Sequence, residues 1–546
     1  MTTIERPDTE PLGFEPPGPG SWQLDTIHTP KPVTRSAQEI VPPALGAGFA
    51  QTLERYGLPL KAFLAATVNG FSYGQMAPID PSEFGVRAQT AEEALATKRW
   101  RQDLARWDTE LKPEAIRLHR RLAAVDLDEV TIDDLVQHLD ACRDHWSAML
   151  TQHHYFNGAA IVPLGDFLAF TEEATGLPAS TLLQLFAGAS PVSRGDCPEV
   201  RAAVAAIDDD EAAERMLASS APPEEVLEQL QGGGVAPATA AAVREWLALV
   251  GHRLLDGFDV QYPCAIERPA VLVSALRSSR GQQPTVDVSG RLAEVRGHVA
   301  PDDVEEFDLR YAEALATYRL RDERGIYSEI GAIGLMRQAM LAAGRRLVES
   351  GLVADAELAV DATVGELQAL LTGGAGPDAG ELDRRRQYRT SRTIADAPPL
   401  LGDPPSPPPP LEMLPPAMGR ITRAMFTFMA NMGPPASTSS DKGRLEGIPA
   451  HPGVHEGRAR VVHQTDDLAR FEEGDVLVAI TTAESFNLAL SLASAVVTDQ
   501  GGLLSHAAIL AREYGIPAVV GTGGATHLIS DGDWLRVDGT TGTVTW

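Results

Sequence analysis

One stretch of the chain sets out residue types that could do chemistry at a spacing that suits it. It reads Ala495-Val-Val-Thr-Asp-Gln-Gly-Gly-Leu-Leu-Ser-His-Ala-Ala-Ile-Leu-Ala-Arg-Glu-Tyr-Gly-Ile-Pro-Ala-Val-Val-Gly521. An apolar strand is predicted to end at Thr498, and Gly501-Gly502 then permit a tight turn and close approach of backbone to a ligand. Ser505 is a good N-cap for a helix running to Tyr514. Gly515 suits the left-handed position after it, and Pro517 blocks continuation. His506 therefore falls in the first helical turn, where the helix dipole disfavours a cation and keeps the imidazole neutral. A neutral imidazole is a nucleophile. A phosphoryl group attached to it would put negative charge where helix N-termini bind anions. The Thr498 and Ser505 hydroxyls are placed to hydrogen-bond the ring or that phosphate. The plain alternative is a histidine that only caps a helix.

A hydroxyl receiving such a group needs a base, and histidine suits that work near neutral pH. His145, His153 and His154 lie on a predicted helix continuing into Tyr155-Phe156. His145, Met149 and His153 are four apart and share a face. His153 and His154 are the preferred bases, the alternative being an ordinary packed or solvated helix face. Arg321 and Arg337 are candidates to hold a phosphate in transit, since guanidinium forks match its oxygens; structural salt bridges are the alternative. Trp22 and His28 near the start are expected to anchor the chain there or to line a pocket.

The elements that must position these residues divide the sequence. Residues 1–42 are rich in Pro and Gly and are predicted to form an extended arm. Residues 43–397 carry helical periodicity, clearest over 91–112, 132–154 and 304–321, and read as one large helical domain with few strands. Residues 398–446 include Pro404-Pro405, Pro407 through Pro410 and Pro415-Pro416. That composition predicts a stiff arm reaching roughly 40 Å. A short amphipathic helix follows, with Met418, Ile421, Met425, Phe428, Met429 and Met432 on one face, expected to dock on a neighbouring domain. From 447 to 546 the period changes. Short strands at 458–462, 475–480, 495–498, 518–520 and 534–537, with the helix at 505–514, predict a compact α/β domain.

Composition narrows the function. The chain has 546 residues, 75 acidic against 46 basic, and a net charge of −29. That average repels a phosphate backbone, so a nucleic-acid partner is not expected. No run of about 18 apolar residues predicts a membrane span, and the acidic, Pro-rich start lacks the order of a signal peptide. Cys142, Cys197 and Cys264 are too scattered for a disulfide framework or a metal site, so no metal is expected and the cytoplasm is the expected location.

The stretch from Thr498 to Gly521 resembles the mobile phosphohistidine domain of the phosphoenolpyruvate-utilising enzymes. The resemblance rests on Thr498, Gly501, Gly502, Ser505-His506-Ala507-Ala508, Ala511-Arg512-Glu513 and Gly515 to Gly521. It extends upstream through Gly453, Gly457 and Gly474-Asp475-Val476-Leu477, and downstream through Asp531-Gly532 and Val537-Asp538-Gly539. One departure is Glu484, where the family usually has Pro within Thr482-Ala483-Glu484-Ser485-Phe486. More modestly, Gly20 to Arg35, Gly251-His252-Arg253, Tyr318-Arg319-Leu320-Arg321-Asp322 and Gly334 to Gly351 resemble the acceptor domain of the rifampicin phosphotransferase type.

The resemblance implies a multidomain fold, with a large, mostly α-helical acceptor domain followed by a C-terminal α/β swivelling phosphohistidine domain. It implies that His506 carries the phosphoryl group, supported by Thr498, Gly501, Gly502 and Ser505. The chain opens near the acceptor domain and ends 40 residues after His506. An ATP-grasp domain and a pyruvate-binding barrel are therefore expected to be missing, and no glycine-rich phosphate loop followed by Lys occurs. The arrangement resembles the large subunit of phenylphosphate synthase. It implies a dikinase-type phosphotransferase subunit whose ATP and Mg²⁺ are bound by a separate ATP-grasp subunit, acting on a small, hydrophobic, hydroxylated acceptor. A binding or regulatory protein that keeps the carrier fold, and a rifamycin-type antibiotic-inactivating enzyme, are the alternatives.

Overall fold

The computed structural model describes residues 13–280, 287–405, 407, 410–433, 440–441, 443–463, 467, 470–472, 474–482 and 493–546. Glu484, Ser485 and Phe486 lie outside them.

The chain enters on strand β1 (Ser21–Leu24), which joins β2 (Leu60–Val68), β3 (Phe71–Pro78) and β4 (Leu400–Gly402) in an antiparallel sheet of order β2-β3-β1-β4. Trp22, Phe71, Tyr73 and Leu401 bury their rings and branches between these strands. Within the expected arm of residues 1–42, the described residues from 13 on include a sheet strand and the start of a helix. That helix, Arg35–Arg55, starts under Thr34, whose hydroxyl accepts from the Ala37 N–H, and it contains Pro42 and Pro43. Each proline removes a helical hydrogen bond. Burial of Ala37, Ile40, Ala44 and Leu53 holds the helix together regardless. The helix packs against Ile132–Tyr155 so closely that a Cβ on Gly48 would lie 2.5 Å from the Thr151 carbonyl.

The helical body follows the predicted periodicity with local corrections. The run expected over 91–112 breaks at Lys98, whose φ of 48° ends one helix (Phe84–Ala96) and starts the next (Arg99–Arg106). Helix Ile132–Tyr155 matches its expected span, capped by Thr131. The apolar helix Asn157–Thr175 is buried along most of its length.

The amphipathic helix, Pro416–Ala430, docks on Asn157–Thr175. Met418, Ile421, Met425 and Phe428 are buried there, while Met429 turns to solvent. Each such burial contributes about 1.5–3 kcal/mol. A Cβ on Gly165 would strike the Ala424 carbonyl at 1.9 Å, so that glycine sets the approach. Asp166 adds polar pairing to Arg420 (2.7 Å) and Arg310 (2.9 Å). With β4 tied into the sheet on one side and this helix tied to the body on the other, the proline-rich stretch is anchored at both ends.

Among the described residues the C-terminal domain holds nine strands in one sheet. Its order is β5 (Ser440–Asp441), β6 (Arg444–Glu446), β13 (Thr543–Thr545), β12 (Trp534–Asp538), β8 (Val454–Val462), β9 (Val476–Ala479), β10 (Ala495–Thr498), β11 (Ala518–Val520), β7 (Ile448–His451). Strands β8 to β11 run parallel and the flanking strands antiparallel. Along β9 successive residues alternate faces. Val476 and Val478 join the domain's own core, while Leu477 and Ala479 join an apolar cluster continuous with the helical body. That shared cluster includes Leu503, Leu504, Ala507, Ala508 and Ala511, so the helix carrying His506 lies on the seam between the two bodies.

Candidate active site

The carrier helix forms as its residues predict. It spans His506–Tyr514, Ser505 caps it by accepting from the Ala508 N–H, and Gly515 ends it at φ 68°. The cap is worth about 1 kcal/mol. Gly501 sits at φ 109°, where a Cβ would also meet the Ser505 side chain at 2.8 Å. At Gly502 the carrier touches the exit of helix Pro416–Ala430: a Cβ there would lie 2.4 Å from the Asn431 carbonyl. The Leu504 N–H donates to that same carbonyl at 3.1 Å.

His506 is half-buried. Its Nδ1 lies 3.0 Å from Thr482 Oγ1, and its Nε2 is buried without a partner among the described residues. The hydroxyls expected to serve the ring are occupied elsewhere. Thr498 donates to the Gln500 carbonyl at 2.7 Å, and Ser505 caps the helix. Thr482 is the ring's actual hydroxyl partner. Burial is the main force on His506 and lowers its pKa; Asp322 opposes and Arg321 assists, leaving it at about 4. The imidazole is therefore neutral at pH 7.

Asp322 and Arg321 belong to the helical body, on the short helix Leu320–Arg324. Asp322 Oδ2 accepts from the Ser190 hydroxyl at 2.5 Å and from the Ser193 hydroxyl at 2.7 Å, and Arg321 Nε lies 3.4 Å from its Oδ1. Burial pushes this carboxyl up, but Arg321, the two serines and His506 outweigh it and hold it below its ordinary range. Arg321 Nη1 is buried without a partner among the described residues. The seam thus holds an unpartnered donor on the helical body and an unpartnered ring nitrogen on the carrier.

The loop that holds Asp322 also grips the far end of the carrier helix. Glu513 Oε1 accepts from the backbone N–H of Gly188 at 2.9 Å and of Ser190 at 3.4 Å, and Oε2 lies 3.4 Å from Arg194 Nε. A second contact joins His451 Nδ1 to Gln184 Oε1 at 2.6 Å, while Gln184 Nε2 donates to the Ala450 carbonyl at 3.0 Å.

Behind Arg321 lies a cluster that includes two of the histidines singled out from the sequence. His153 Nδ1 is 3.1 Å from Glu329 Oε1. His154 stacks on Phe49 with ring centroids 4.7 Å apart. Arg324 donates to Asn157 Oδ1, which leaves the Asn157 amide to donate to His154 Nδ1 at 3.2 Å. Burial, then Arg324, hold both imidazoles well below the ordinary range.

The other two sequence candidates lie apart from this seam. His145 is buried with Nε2 at 2.6 Å from His119 Nδ1, and burial lowers it to about 4. Arg337 is buried, bonded to both carboxylate oxygens of Glu267 (2.8 and 2.7 Å), to the Val260 carbonyl and to Glu357. Its donors are spent on the fold. Thr482, Asp322, Ser190, Ser193 and Glu513 were not assigned roles from the sequence. Thr482 stands 24 residues before His506, Glu513 lies at the far end of its helix, and Asp322, Ser190 and Ser193 come to the seam through tertiary packing, so residue spacing along the chain assigned them no role.

Among the described residues no cluster of His, Cys, Asp and Glu could hold a metal ion. The three cysteines are buried and free, and no described helix is long and apolar enough to cross a membrane.

In this α/β domain a histidine opens a helix beside a glycine turn, and the helix lies against the helical body. Residues 471–542 match the family model described as PEP-utilising enzyme, mobile domain, and this chain carries that domain. It is 34% identical over 243 residues to the uncharacterized phosphotransferase YvkC of Bacillus subtilis, covering 44% of this chain and 27% of that protein. It is 46% identical over 118 residues to phosphoenolpyruvate synthase of Aeropyrum pernix, 21% of this chain and 14% of that one. It is 39% identical over 133 residues to rifampicin phosphotransferase of Bacillus subtilis, 22% of this chain and 15% of that one. The chain thus spans about a quarter or less of the length of these relatives.

Proposed function

We propose that this chain is the carrier and acceptor part of a dikinase-type phosphotransferase. His506 Nε2 takes a phosphoryl group in one half-reaction and, with the carrier seated on the helical body, gives it to the hydroxyl of a small organic acceptor in the other. One observation carries this reading. The unpartnered, neutral Nε2 is buried at the seam with the unpartnered Arg321 Nη1.

The chemistry follows from the two ring nitrogens. With Nδ1–H donating to Thr482 Oγ1, Nε2 keeps its lone pair and is the nucleophile. A phosphoryl group there would offer oxygens to Arg321, and the guanidinium would neutralise charge as the group is transferred. Asp322 fixes Arg321 on one side and repels the phosphoryl oxygens on the other, which favours their leaving toward the acceptor. Seating the carrier on the body excludes water, which limits hydrolysis of the phosphoramidate bond. The acceptor would lie beyond Arg321, toward His153, His154 and Phe49, a wall with aromatic and aliphatic faces that suits a hydrophobic hydroxyl compound.

No glycine-rich phosphate loop followed by Lys occurs in the 546 residues. We assign ATP and Mg²⁺ to a separate ATP-grasp subunit, as the resemblance to the large subunit of phenylphosphate synthase implies, and no tightly bound cofactor to this chain. The test is to incubate the chain and fractions of its native cell extract with ATP labelled at the β-phosphate. Acid-labile, base-stable label on the His506 peptide, lost in His506→Ala, supports the reading. A chain that stays unlabelled with every fraction, or an equally labelled His506→Ala, overturns it.

A further inference from the structure

We propose that His28 is the general base that takes the acceptor's hydroxyl proton, with Asp25 as its positioning residue. This rests on the acceptor reading above.

The geometry begins in the backbone. Asp25 follows β1 directly, and its N–H donates to the Ser72 carbonyl at 2.9 Å, so the loop starts from a pinned strand. The Asp25 carboxylate accepts from the backbone N–H groups of Ile27 and His28, each at 3.0 Å. The same carboxylate lies 3.1 and 3.2 Å from His28 Nδ1. A ring tied at Nδ1 by a carboxylate has its tautomer fixed and presents Nε2 as the proton acceptor. Phe258 packs against the ring edge, with centroids 5.8 Å apart.

The ring also stands in the right place. It is 55% exposed, yet Glu329, His153 and His154 are near enough for their charges and its own to influence one another. Glu329 Oε1 lies 3.1 Å from His153 Nδ1, and the His153 carbonyl accepts from Arg324 at 3.1 Å, so the ring stands on the solvent side of the group that follows Arg321. Of these three histidines, His153 and His154 are half-buried beside Arg324 and have Nδ1 occupied or stacked neighbours. His28 is the most exposed of the three, and its Nδ1 is held by the Asp25 carboxylate. Burial works to lower its pKa, but Asp25 and then Glu329 outweigh that and raise it above the ordinary value. The groups facing it are Asp25 on its own loop, Glu329 on the segment after Arg324, and His153 and His154 on helix Ile132–Tyr155.

The step balances. The acceptor oxygen bonds to phosphorus as its proton passes to His28 Nε2. The bond from phosphorus to His506 Nε2 breaks, and its electron pair stays on the imidazole, which keeps its Nδ1 proton. The products are a phosphate ester, neutral His506 and an imidazolium at His28 that releases its proton to water.

The test separates this inference from the reading beneath it. The full chain is loaded at His506 with phosphoramidate, a small chemical donor, and the decay of the phosphohistidine is followed by phosphorus NMR with phenol and with benzyl alcohol as acceptors. His28→Gln should load as wild type does but transfer roughly a hundredfold or more slowly, without the rise in rate with pH that wild type shows. Asp25→Asn, a second variant, should shift that rise to lower pH, because the carboxylate that raises the ring's pKa is gone. Transfer by His28→Gln at the wild-type rate and pH profile overturns the inference while leaving the carrier reading intact. A loaded wild type that transfers to neither alcohol faster than to water overturns the acceptor reading, and this inference with it.

Discussion

Glu513 Oε2 lies 3.4 Å from Arg194 Nε, and the pair spans the seam between carrier and helical body. The loop that contributes Arg194 also supplies Ser190 and Ser193, which hold Asp322 beside His506. One loop therefore sets both ends of the carrier helix. Glu513→Ala should leave the carrier folded but unseat it. We expect phosphohistidine hydrolysis to quicken several-fold and transfer to an acceptor to fall at least tenfold, both read by phosphorus NMR of the loaded chain.

Gly502 meets the Asn431 and Gly433 carbonyls where the carrier adjoins the preceding helix. Gly502→Ala would place a methyl against backbone on both sides, and neither carbonyl can move without shifting its segment. Seating should weaken, and the carrier's own core, which lies across the sheet, should not. Energy transfer between dyes on cysteines introduced at the exposed positions Val86 and Trp534 should fall, with an unchanged circular dichroism spectrum.

Thr482 holds Nδ1 of the reactive ring. Thr482→Val removes that partner at nearly constant volume and frees the ring to take the tautomer in which Nε2 carries the proton. Loading at His506 should slow roughly tenfold to a hundredfold, while Thr482→Ser should restore most of it. Rates of label incorporation distinguish the two.

Docked His506 has its pKa lowered to about 4, against about 6.5 for an imidazole in water. The docked state therefore binds fewer protons than the undocked one between these values. Seating is fully favoured above about pH 6.5 and is lost as pH falls toward 4. The same dye pair should report undocking over that window, and His506→Gln should remove most of the dependence.

Arg337 is a structural residue by its contacts. Arg337→Met should lower stability by about 2 kcal/mol, because Glu267 loses its bidentate partner, yet leave loading at His506 unchanged. Denaturant midpoints and label incorporation read the two effects separately.

The carrier was legible because its signals are local. Ser505, His506, Gly515 and Pro517 each punctuate the chain within one helix, and β10, β11 and the helix between them form where those residues place them. The acceptor side was legible only in part. His153 and His154 could be picked out by type, but nothing in their spacing distinguishes them from His145, which packs on His119 instead. Arg321 and Arg337 look alike in sequence; one ends at the seam and the other in a buried ion pair, and only tertiary packing decides which. For the proline-rich stretch, composition reports stiffness and not anchoring. β4 and the face of Met418, Ile421, Met425 and Phe428 tie down both of its ends.

The central claim is that Nε2 of His506 carries the phosphoryl group while Nδ1 stays with Thr482. Phosphorus NMR of the chain, with ring nitrogens labelled by ¹⁵N-histidine, reads this directly through the one-bond coupling between phosphorus and nitrogen. The account predicts one phosphoryl group per chain, coupled to Nε2 of a single histidine and absent from His506→Ala. Coupling to Nδ1, or a phosphoryl group that persists in His506→Ala, would contradict it.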